Sequence, residues 1–405
     1  MGASRTRSDR GSSTNLKPGD VVVANDAATL PASLHGVHLS SGAEIEVRLA
    51  GRRALASFSA VVFGAGGFHT RTEDRPLPPP LSPGDRLLLG PLSATIEALL
   101  DHPRLVALRF GGTARALWAG LARHGRPIQY AHLPTPLALW DVWTPIASLP
   151  TAFEPPSASF ALDWGSIRAM RARGVAFATI TLAAGISSTG DLELDRRLPF
   201  DEPYRIPDPT ASAIRQGRAA GGRIIAIGTT VVRALEHAAR EGGVRAGEGI
   251  ADQRLGPTSR LQIVDAILSG THEPGSSHYQ LLRAFLDDTT LADASAALEA
   301  AGYLTHEFGD SVLIEKQNRR LRHLLKPRSD EIEQVLAGEA LSVVSGFSRT
   351  CRSLTKYRRG LRPRPHRYPT GDGPMMPAGT SCARPAEAGD YRITCVAGRA
   401  TRVSF

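Results

Sequence analysis

Residues 223–236 read RIIAIGTTVVRALE, and this stretch decides the fold class. Its opening IIAI run is short and rich in branched apolar residues, as in a buried strand, and Gly228 ends it. Thr229 or Thr230 is a good N-cap for a helix that begins at Val231. Open α/β sheets hold their ligands where strands turn into helices in this way. The stretch therefore predicts the ligand-binding edge of a soluble α/β enzyme.

The same turn predicts a binding chemistry. The first N–H groups of a helix have no acceptor within the helix and carry the positive end of its dipole, which suits an anionic or carboxylate group. Arg233 follows one turn later and adds a candidate charged fork. An ordinary capped strand–helix unit without a ligand explains these letters equally well.

Pattern changes along the chain predict its organisation. Residues 1–17 are polar and predicted to be disordered, and a large, barrel-like α/β domain is expected over 18–54 and 136–325. Between them, residues 55–135 contain short strand patterns separated by Gly/Pro clusters, typical of a small inserted all-β barrel, with one helix at Ala114–His124. A helix is expected near Asp330–Ala337. The rest of 326–405 is basic and predicted to be of low order.

Charge gives little support to nucleic-acid binding by the folded core. The formal net charge is +9, but residues 326–405 hold fourteen Lys/Arg against seven Asp/Glu, so the other 325 residues carry about +2. The basic tail is either a solvated extension or an arm that contacts RNA phosphates.

Cysteine and hydropathy patterns exclude other classes. All three cysteines lie in the tail, so the core has neither a disulfide framework nor a cysteine metal site. No apolar run reaches the roughly 20 residues of a membrane span, and the N-terminus has no apolar signal segment. We expect a cytoplasmic protein with no membrane contact and no bound metal.

Three further segments hold residues suited to acid–base chemistry or hydroxyl binding. The THEPGSSHY loop contains His272 and His278, although a solvated loop histidine is the commoner case. Asp310 enters a strand after a turn and is suited to holding a ribose hydroxyl or to a structural role. Glu202 lies in a DEPY segment that, alone, reads as a polar loop.

Taken as an ordered set, five segments resemble a known family. The order LKPGDVVVANDAATLPASLHGVHLSSGAEIEVRLA, RGVAFATITLAAG, GGRIIAIGTTVVRALEHAA, VDAILSGTHEPGSSHYQLLRAF and FGDSVLI is similar to that of the S-adenosylmethionine:tRNA ribosyltransferase-isomerases. The likeness runs from about Leu16 to Ile314, and IAIGTTVVRALE is its most specific motif.

The resemblance implies a fold and an activity. The fold is a large α/β domain with a small inserted β-barrel. The activity transfers the ribosyl part of S-adenosylmethionine onto a deazaguanine base at the tRNA wobble position and isomerises it, forming epoxyqueuosine while methionine and adenine leave. S-Adenosylmethionine is thus a substrate, tRNA the partner, and a monomer is expected.

This sequence departs from the family at several motifs. The family's Leu-His-Val-Gly-Ala-Gly-Thr-Phe is here LAAGISST (182–189), and its Ala-Pro-Thr-Ala-Gly-Leu-His-Phe is PPSASFAL (155–162). His-x-Met-His-x-Glu is RLPFDE (197–202), which keeps only Glu202, and Asn-Phe-His-Leu-Pro is GTHEP, which keeps His272 and Pro274. The arginine of an Asn-Asp/Asn-Thr-Arg turn is absent after Asn25.

The retained positions define the candidate site. The catalytic candidates are His272, Glu202 and Asp310, and the candidate substrate-binding residues are Asn25, Gly228, Thr229, Thr230, Arg233, Asp265 and Gly309. Three hypotheses remain open on the sequence. They are the family's own activity, a divergent paralogue that keeps an adenosyl pocket but uses another acceptor, and a non-catalytic binding protein.

Overall fold

The computed structural model describes residues 16–270, 272, 274–300, 303 and 308–316, together with the backbone of three short strands at 341–344, 393–395 and 399–401. The strands are β1 (Val21–Asn25), β2 (Ala28–Thr29), β3 (Ser33–His38), β4 (Glu44–Arg52), β5 (Ser57–Phe63), β6 (Arg86–Leu89), β7 (Leu92–His102), β8 (Leu105–Phe110), β9 (Pro150–Ala152), β10 (Ala176–Leu182), β11 (Glu202–Ile206), β12 (Ile224–Ile227), β13 (Gly247–Ala251), β14 (Ala266–Gly270), β15 (Ser311–Glu315), β16 (Leu341–Val344), β17 (Ile393–Cys395) and β18 (Arg399–Thr401).

The described helices are α1 (Ala114–His124), α2 (Leu139–Val142), α3 (Trp164–Ala172), α4 (Leu192–Asp195), α5 (Asp208–Ala219), α6 (Thr229–Ala238), α7 (Ser277–Leu282) and α8 (Asp288–Ala300), with 3₁₀ turns at Thr72–Asp74 and Ser157–Ala161. The helix predicted at Ala114–His124 is confirmed. The one expected near Asp330–Ala337 lies outside the described residues, as do residues 1–15 of the segment 1–17 that is predicted to be disordered, whereas Leu16 is described and buried.

A large mixed sheet forms the α/β part of the molecule. Its order is β13-β11-β10-β1-β12-β14-β15-β16-β17-β18, and β1 lies parallel to both β10 and β12. β14 also runs parallel to β12, whereas β11, β13 and β15 pair antiparallel. The carboxyl ends of β1, β10, β12 and β14 therefore meet at one edge.

Both faces of this sheet are covered, which explains the continuous apolar letters of β1. Val21 and Val23 pack into the core shared with α5 and α6, while Val22 and Ala24 pack into the one shared with α3. Successive side chains of a strand point to opposite faces, so a VVVA run buries fully only between two layers.

A second unit is a closed antiparallel barrel of order β3-β4-β5-β8-β7-β6. Its interior is apolar and is plugged on one side by Leu117 and Leu121 of α1. The rings of Phe58 and Phe110 meet edge to face inside it, with centroids 5.8 Å apart. The predicted fold class, an α/β protein with an inserted small β-barrel, is confirmed.

The barrel begins earlier in the chain than the sequence indicated. β3 and β4 lie before residue 55 and belong to the barrel, because β3 pairs with β6 and thereby closes it. An alternating pattern such as AEIEVRL fits a half-exposed sheet strand and a barrel strand equally well. We propose that the inserted domain starts at about residue 33 instead of 55.

The region predicted to be of low order, 326–405, is largely outside the described residues. Three short segments of it are described as strands, and β16, β17 and β18 pair antiparallel in succession beyond β15. Segments of three or four residues carry too few letters for a period-2 pattern to stand out.

Candidate functional site at the carboxyl edge of the sheet

The turn from β12 into α6 differs in one detail from its prediction. The helix begins at Thr229, and Gly228 is its N-cap with φ 94° and ψ 150°. This backbone conformation is open essentially only to glycine. The N-cap position is therefore occupied by Gly228 and not, as predicted, by Thr229 or Thr230. No side chain among the described residues caps this helix, which leaves its first N–H groups available at the edge of the sheet.

Three adjoining cavities open at this edge, and we name them the central, lateral and outer cavity. Their volumes are about 60, 250 and 500 Å³, and Ser277 and His278 line all three. Together they reach the size of a small-molecule site, which is ~300–1,000 Å³. Thr229 and Thr230 separate the central cavity from the lateral one.

Five of the candidate residues meet at the central cavity, which is lined in part by Glu202, Gly228, Thr229, Thr230 and His272. They come from β11, the β12–α6 turn and the loop after β14. These segments are far apart in the sequence, so their meeting could not be predicted from local patterns. It follows from the parallel pairing of β12 with β14. The other candidates occupy different places.

Arg233 lines the lateral cavity, but its guanidinium is engaged by the protein. Its side chain is 2% exposed and donates to the backbone oxygens of Phe200, Ala251 and Gln253 as well as to Glu202 Oε2. Its guanidinium therefore ties α6 to the β11–β13 hairpin, and its predicted contact with a ligand stays a prediction. Helix position alone does not show which acceptors a buried guanidinium will meet.

Glu202 is the carboxyl partner of that guanidinium. Its Oε1 accepts from the backbone N–H of Gly185 at 3.2 Å. Burial raises the pKa of Glu202, and the charge of Arg233 opposes that shift. Both oxygens are thus engaged, and Glu202 fixes the wall of the central cavity.

Asn25 and Asp265 also have structural contacts. The Asn25 side chain bridges β1 to β10 by donating to Leu182 O at 2.9 Å and accepting from Leu182 N at 3.0 Å. Asp265 accepts from Ile224 N, at the amino end of β12. It lies at the amino ends of these strands, about 16 Å from the cavities at ~3.3 Å per strand residue, so this position does not support its predicted substrate contact.

The two histidines of the THEPGSSHY loop form a pair at the cavities. The rings of His272 and His278 are 4.4 Å apart, and His272 has φ 55°. Burial, aided by the charge of Arg233, lowers the pKa of His278 to about 4, so this ring is neutral near pH 7. The sequence favoured a solvated loop histidine at both positions, whereas both line the central cavity.

Gly309 and Asp310 lie close to this edge. They precede β15, whose Ser311 pairs with Gly270 at the end of β14, and Phe308 lines the central cavity. Asp310 is buried, with 8% of its surface exposed. Its predicted contact with a hydroxyl remains a proposal.

The structure adds Tyr130 and Glu154, which the sequence analysis did not select. Both line the central cavity, and the Tyr130 hydroxyl donates to Glu154 Oε1 at 2.5 Å. Burial raises the pKa of Glu154, which the hydrogen bonds of Tyr130 and Ser187 oppose. The two residues come from different connections, and no local spacing links them. The only sequence signal was a lone acidic residue within the apolar AFEPP segment.

Two kinds of feature are absent from the described residues. They contain no group of three or more His, Cys, Asp or Glu side chains arranged to hold a metal ion. None of their helices is both long and apolar enough to cross a membrane.

The fold and site define an α/β protein with ligand-sized cavities at the carboxyl ends of parallel strands, beside a small closed β-barrel. The chain belongs to the queuosine biosynthesis protein family, whose model matches residues 9–314. The resemblance drawn from its ordered motifs is confirmed.

Relatives with curated descriptions carry the name S-adenosylmethionine:tRNA ribosyltransferase-isomerase. One from Sorangium cellulosum is 32% identical over 321 residues, covering 74% of this chain and 85% of the relative. Another, from Thermus thermophilus, is 31% identical over 307 residues, with coverage of 74% and 85%. A crystal structure of an S-adenosylmethionine tRNA ribosyltransferase from Thermotoga maritima is 24% identical, covers 74% of this chain and 83% of its own, and has a TM-score of 0.36.

Proposed function

We propose that this protein is an S-adenosylmethionine:tRNA ribosyltransferase-isomerase that forms epoxyqueuosine at the wobble base of tRNA. The observation that carries the proposal is the N-terminus of α6, which no described side chain caps and which opens onto the cavities at Gly228–Thr230 in a chain of this family. Membership of the family favours this activity over a divergent acceptor or a non-catalytic role.

The geometry suggests how the substrates are held. S-Adenosylmethionine enters the central and lateral cavities, with its carboxylate or ribose oxygens accepting from the free N–H groups of α6. The modified base of tRNA enters from the outer cavity, which is the largest and is lined by Arg71 and His132. The His272–His278 pair lies between these two entries, since both rings line the central and the outer cavity, and we propose that it contacts the reacting ribosyl group.

Further assignments belong to the same proposal. Asp310 and Gly309 contact the nucleoside from the β15 side, and Asn25 and Glu202 hold the strand ends around it. The protein acts as a monomer in the cytoplasm on tRNA, with S-adenosylmethionine as substrate and no metal.

Adenine release tests the function. Purified full-length protein is incubated with S-adenosylmethionine and with tRNA that carries, or lacks, the deazaguanine base. Adenine and methionine are expected only with the modified tRNA. His272→Gln is expected to lower kcat by about 100-fold if the ring moves a proton, whereas Asp265→Asn, at the far end of the sheet, keeps the wild-type rate. Absence of tRNA-dependent adenine would rule the function out.

A further inference from the structure

The two oxygens of the Glu154 carboxyl have different surroundings. Oε1 accepts from the Tyr130 hydroxyl at 2.5 Å and from the backbone N–H of Ser187 at 3.0 Å. Oε2 accepts from no donor among the described residues. It is also not among the fully buried polar atoms that lack a partner, so it remains accessible. Because Glu154 lines the central cavity, Oε2 opens onto that cavity.

Tyr130 is held in place from several sides. Its hydroxyl accepts from Ser187 Oγ at 3.2 Å and from Ser188 N at 3.1 Å, and the Arg48 guanidinium lies 5.3 Å from its ring centroid. A hydroxyl that accepts from two donors directs its own proton towards its acceptors, here Glu154 Oε1 and, at 3.2 Å, the backbone oxygen of Ser188. Tyr130 thus fixes the orientation of the Glu154 carboxyl.

These contacts favour a proton on Oε2. Donors of the described residues reach Oε1 alone, so a neutral carboxyl places its O–H on the oxygen that faces the cavity. Burial raises the pKa of Glu154, against the hydrogen bonds of Tyr130 and Ser187 and the charge of Arg48. The other ionisable groups of the described lining that face this cavity are Tyr130, Glu202, His272 and His278.

Two of these other groups are poor proton donors. Glu202 has both oxygens engaged, by Arg233 and by Gly185 N. His278 is neutral near pH 7, since its pKa is about 4. A carboxyl with an open, cavity-facing oxygen is better suited to deliver a proton.

We propose that Glu154 is a general acid that protonates the adenine leaving group, and that Tyr130 is its positioning residue. This inference rests on the proposed function. As the bond between the ribosyl carbon and adenine breaks, its electron pair passes to the adenine ring. The proton of Glu154 Oε2 moves to an adenine nitrogen, which leaves neutral adenine and a carboxylate. The ribose ring oxygen donates a lone pair to that carbon, which is left as an oxocarbenium ion for the isomerisation to consume, and solvent returns a proton to Glu154 when adenine departs.

The decisive variant is Glu154→Gln. The glutamine oxygen still accepts from Tyr130 and Ser187, but the amide has no acidic proton. We expect kcat for tRNA-dependent adenine release to fall roughly 100-fold or more, as for loss of a general acid. KM for S-adenosylmethionine and Tm should stay close to wild type. The alkaline limb of the kcat profile, where Glu154 loses its proton, should disappear.

The variant Tyr130→Phe distinguishes a role of Tyr130 in positioning the Glu154 carboxyl from a purely structural role. Removing a hydrogen bond that stabilises the carboxylate raises the pKa of Glu154 further, so the alkaline limb should move to higher pH while kcat falls less than in Glu154→Gln. Infrared difference spectra of wild type minus Glu154→Gln supply a readout without turnover. They should show the carbonyl stretch of a neutral carboxylic acid at pH 7.

The outcomes distinguish this inference from the function it rests on. Adenine release by Glu154→Gln within threefold of wild type, or an unchanged alkaline limb, overturns the role of Glu154 and leaves the function standing. A missing carboxylic acid band does the same. Wild-type protein that releases no adenine with modified tRNA overturns both.

Discussion

Arg233 carries a full charge in the core, and its contribution to stability depends on one neighbouring residue. The side chains of Arg233 and Glu202 are 2% and 3% exposed and form a direct ion pair. Replacing both by apolar groups costs little in many proteins, whereas removing one partner leaves an uncompensated charge that water cannot reach. The pair therefore stabilises the hairpin next to the central cavity only as long as both members are present.

We expect Glu202→Gln to lower the free energy of unfolding by about 3–5 kcal/mol, because Arg233 remains buried and charged. Urea denaturation measures this loss. The matched control is Glu193→Gln, which removes an exposed partner of Arg197, with Glu193 64% exposed, and should change stability little. Equal effects of the two variants would show that the buried pair is not the stabilising contact.

At the scale of elements, the β12–α6 connection depends on one backbone conformation. Gly228 has φ 94°, and its N–H donates to Leu268 O at 2.8 Å, which holds the turn against β14. A β-carbon at this position costs about 1–3 kcal/mol in this backbone region. Relaxation of that strain would move the N–H groups that face the central cavity.

We expect Gly228→Ala to weaken S-adenosylmethionine binding by about tenfold or more, as for loss of one or two hydrogen bonds to a charged group. Calorimetric titration measures the affinity. Gly242→Ala is the control, because Gly242 has φ 98° and open space around it but lies beyond the far end of α6. It should lose similar stability and keep the affinity. Loss of affinity in both variants would assign the effect to general destabilisation.

At the scale of the molecule, a buried charge network joins the barrel to the connection that leads into the α/β part. Glu46 accepts from Arg48 at 2.8 Å and from Arg75 at 2.5 Å, and Arg48 lies over the rings of Phe63 and Tyr130. Burial raises the pKa of Glu46, but Arg48, Arg75 and Ser33 outweigh it and hold the pKa at about 2. The carboxylate is thus ionised in the folded protein even in acid.

This shift predicts how stability depends on pH. The pKa of Glu46 falls from 4.5 to about 2 on folding, so its stabilisation is present above pH 4.5 and is lost as pH falls towards 2. At ~1.4 kcal/mol per pKa unit, the contribution is roughly 3 kcal/mol. Unfolding of wild type and Glu46→Gln should differ by this amount at pH 7 and converge near pH 2. The exposed Glu44 on the same strand supplies the control, Glu44→Gln, which should follow wild type throughout.

Local sequence patterns predicted those features that depend on a single helix, strand or turn. The apolar run of β12, the glycine that ends it and the amphipathic letters of α6 and α1 were each readable, because period and turn chemistry act over a few residues. The start of α6 was misplaced by two residues, since a glycine with positive φ took the cap position in place of a threonine.

By itself, the sequence determined the strand–helix turn, the α/β class, the inserted barrel and the family, because these follow from local periodicity and from the order of motifs. Only the tertiary structure decided where the barrel begins, that Arg233 faces Glu202, that Asp265 lies at the amino end of β14, and that Tyr130 meets Glu154. Those features join residues that are distant in sequence. They are set by strand pairing and by the need of each buried polar group for a partner, which neighbouring letters do not encode.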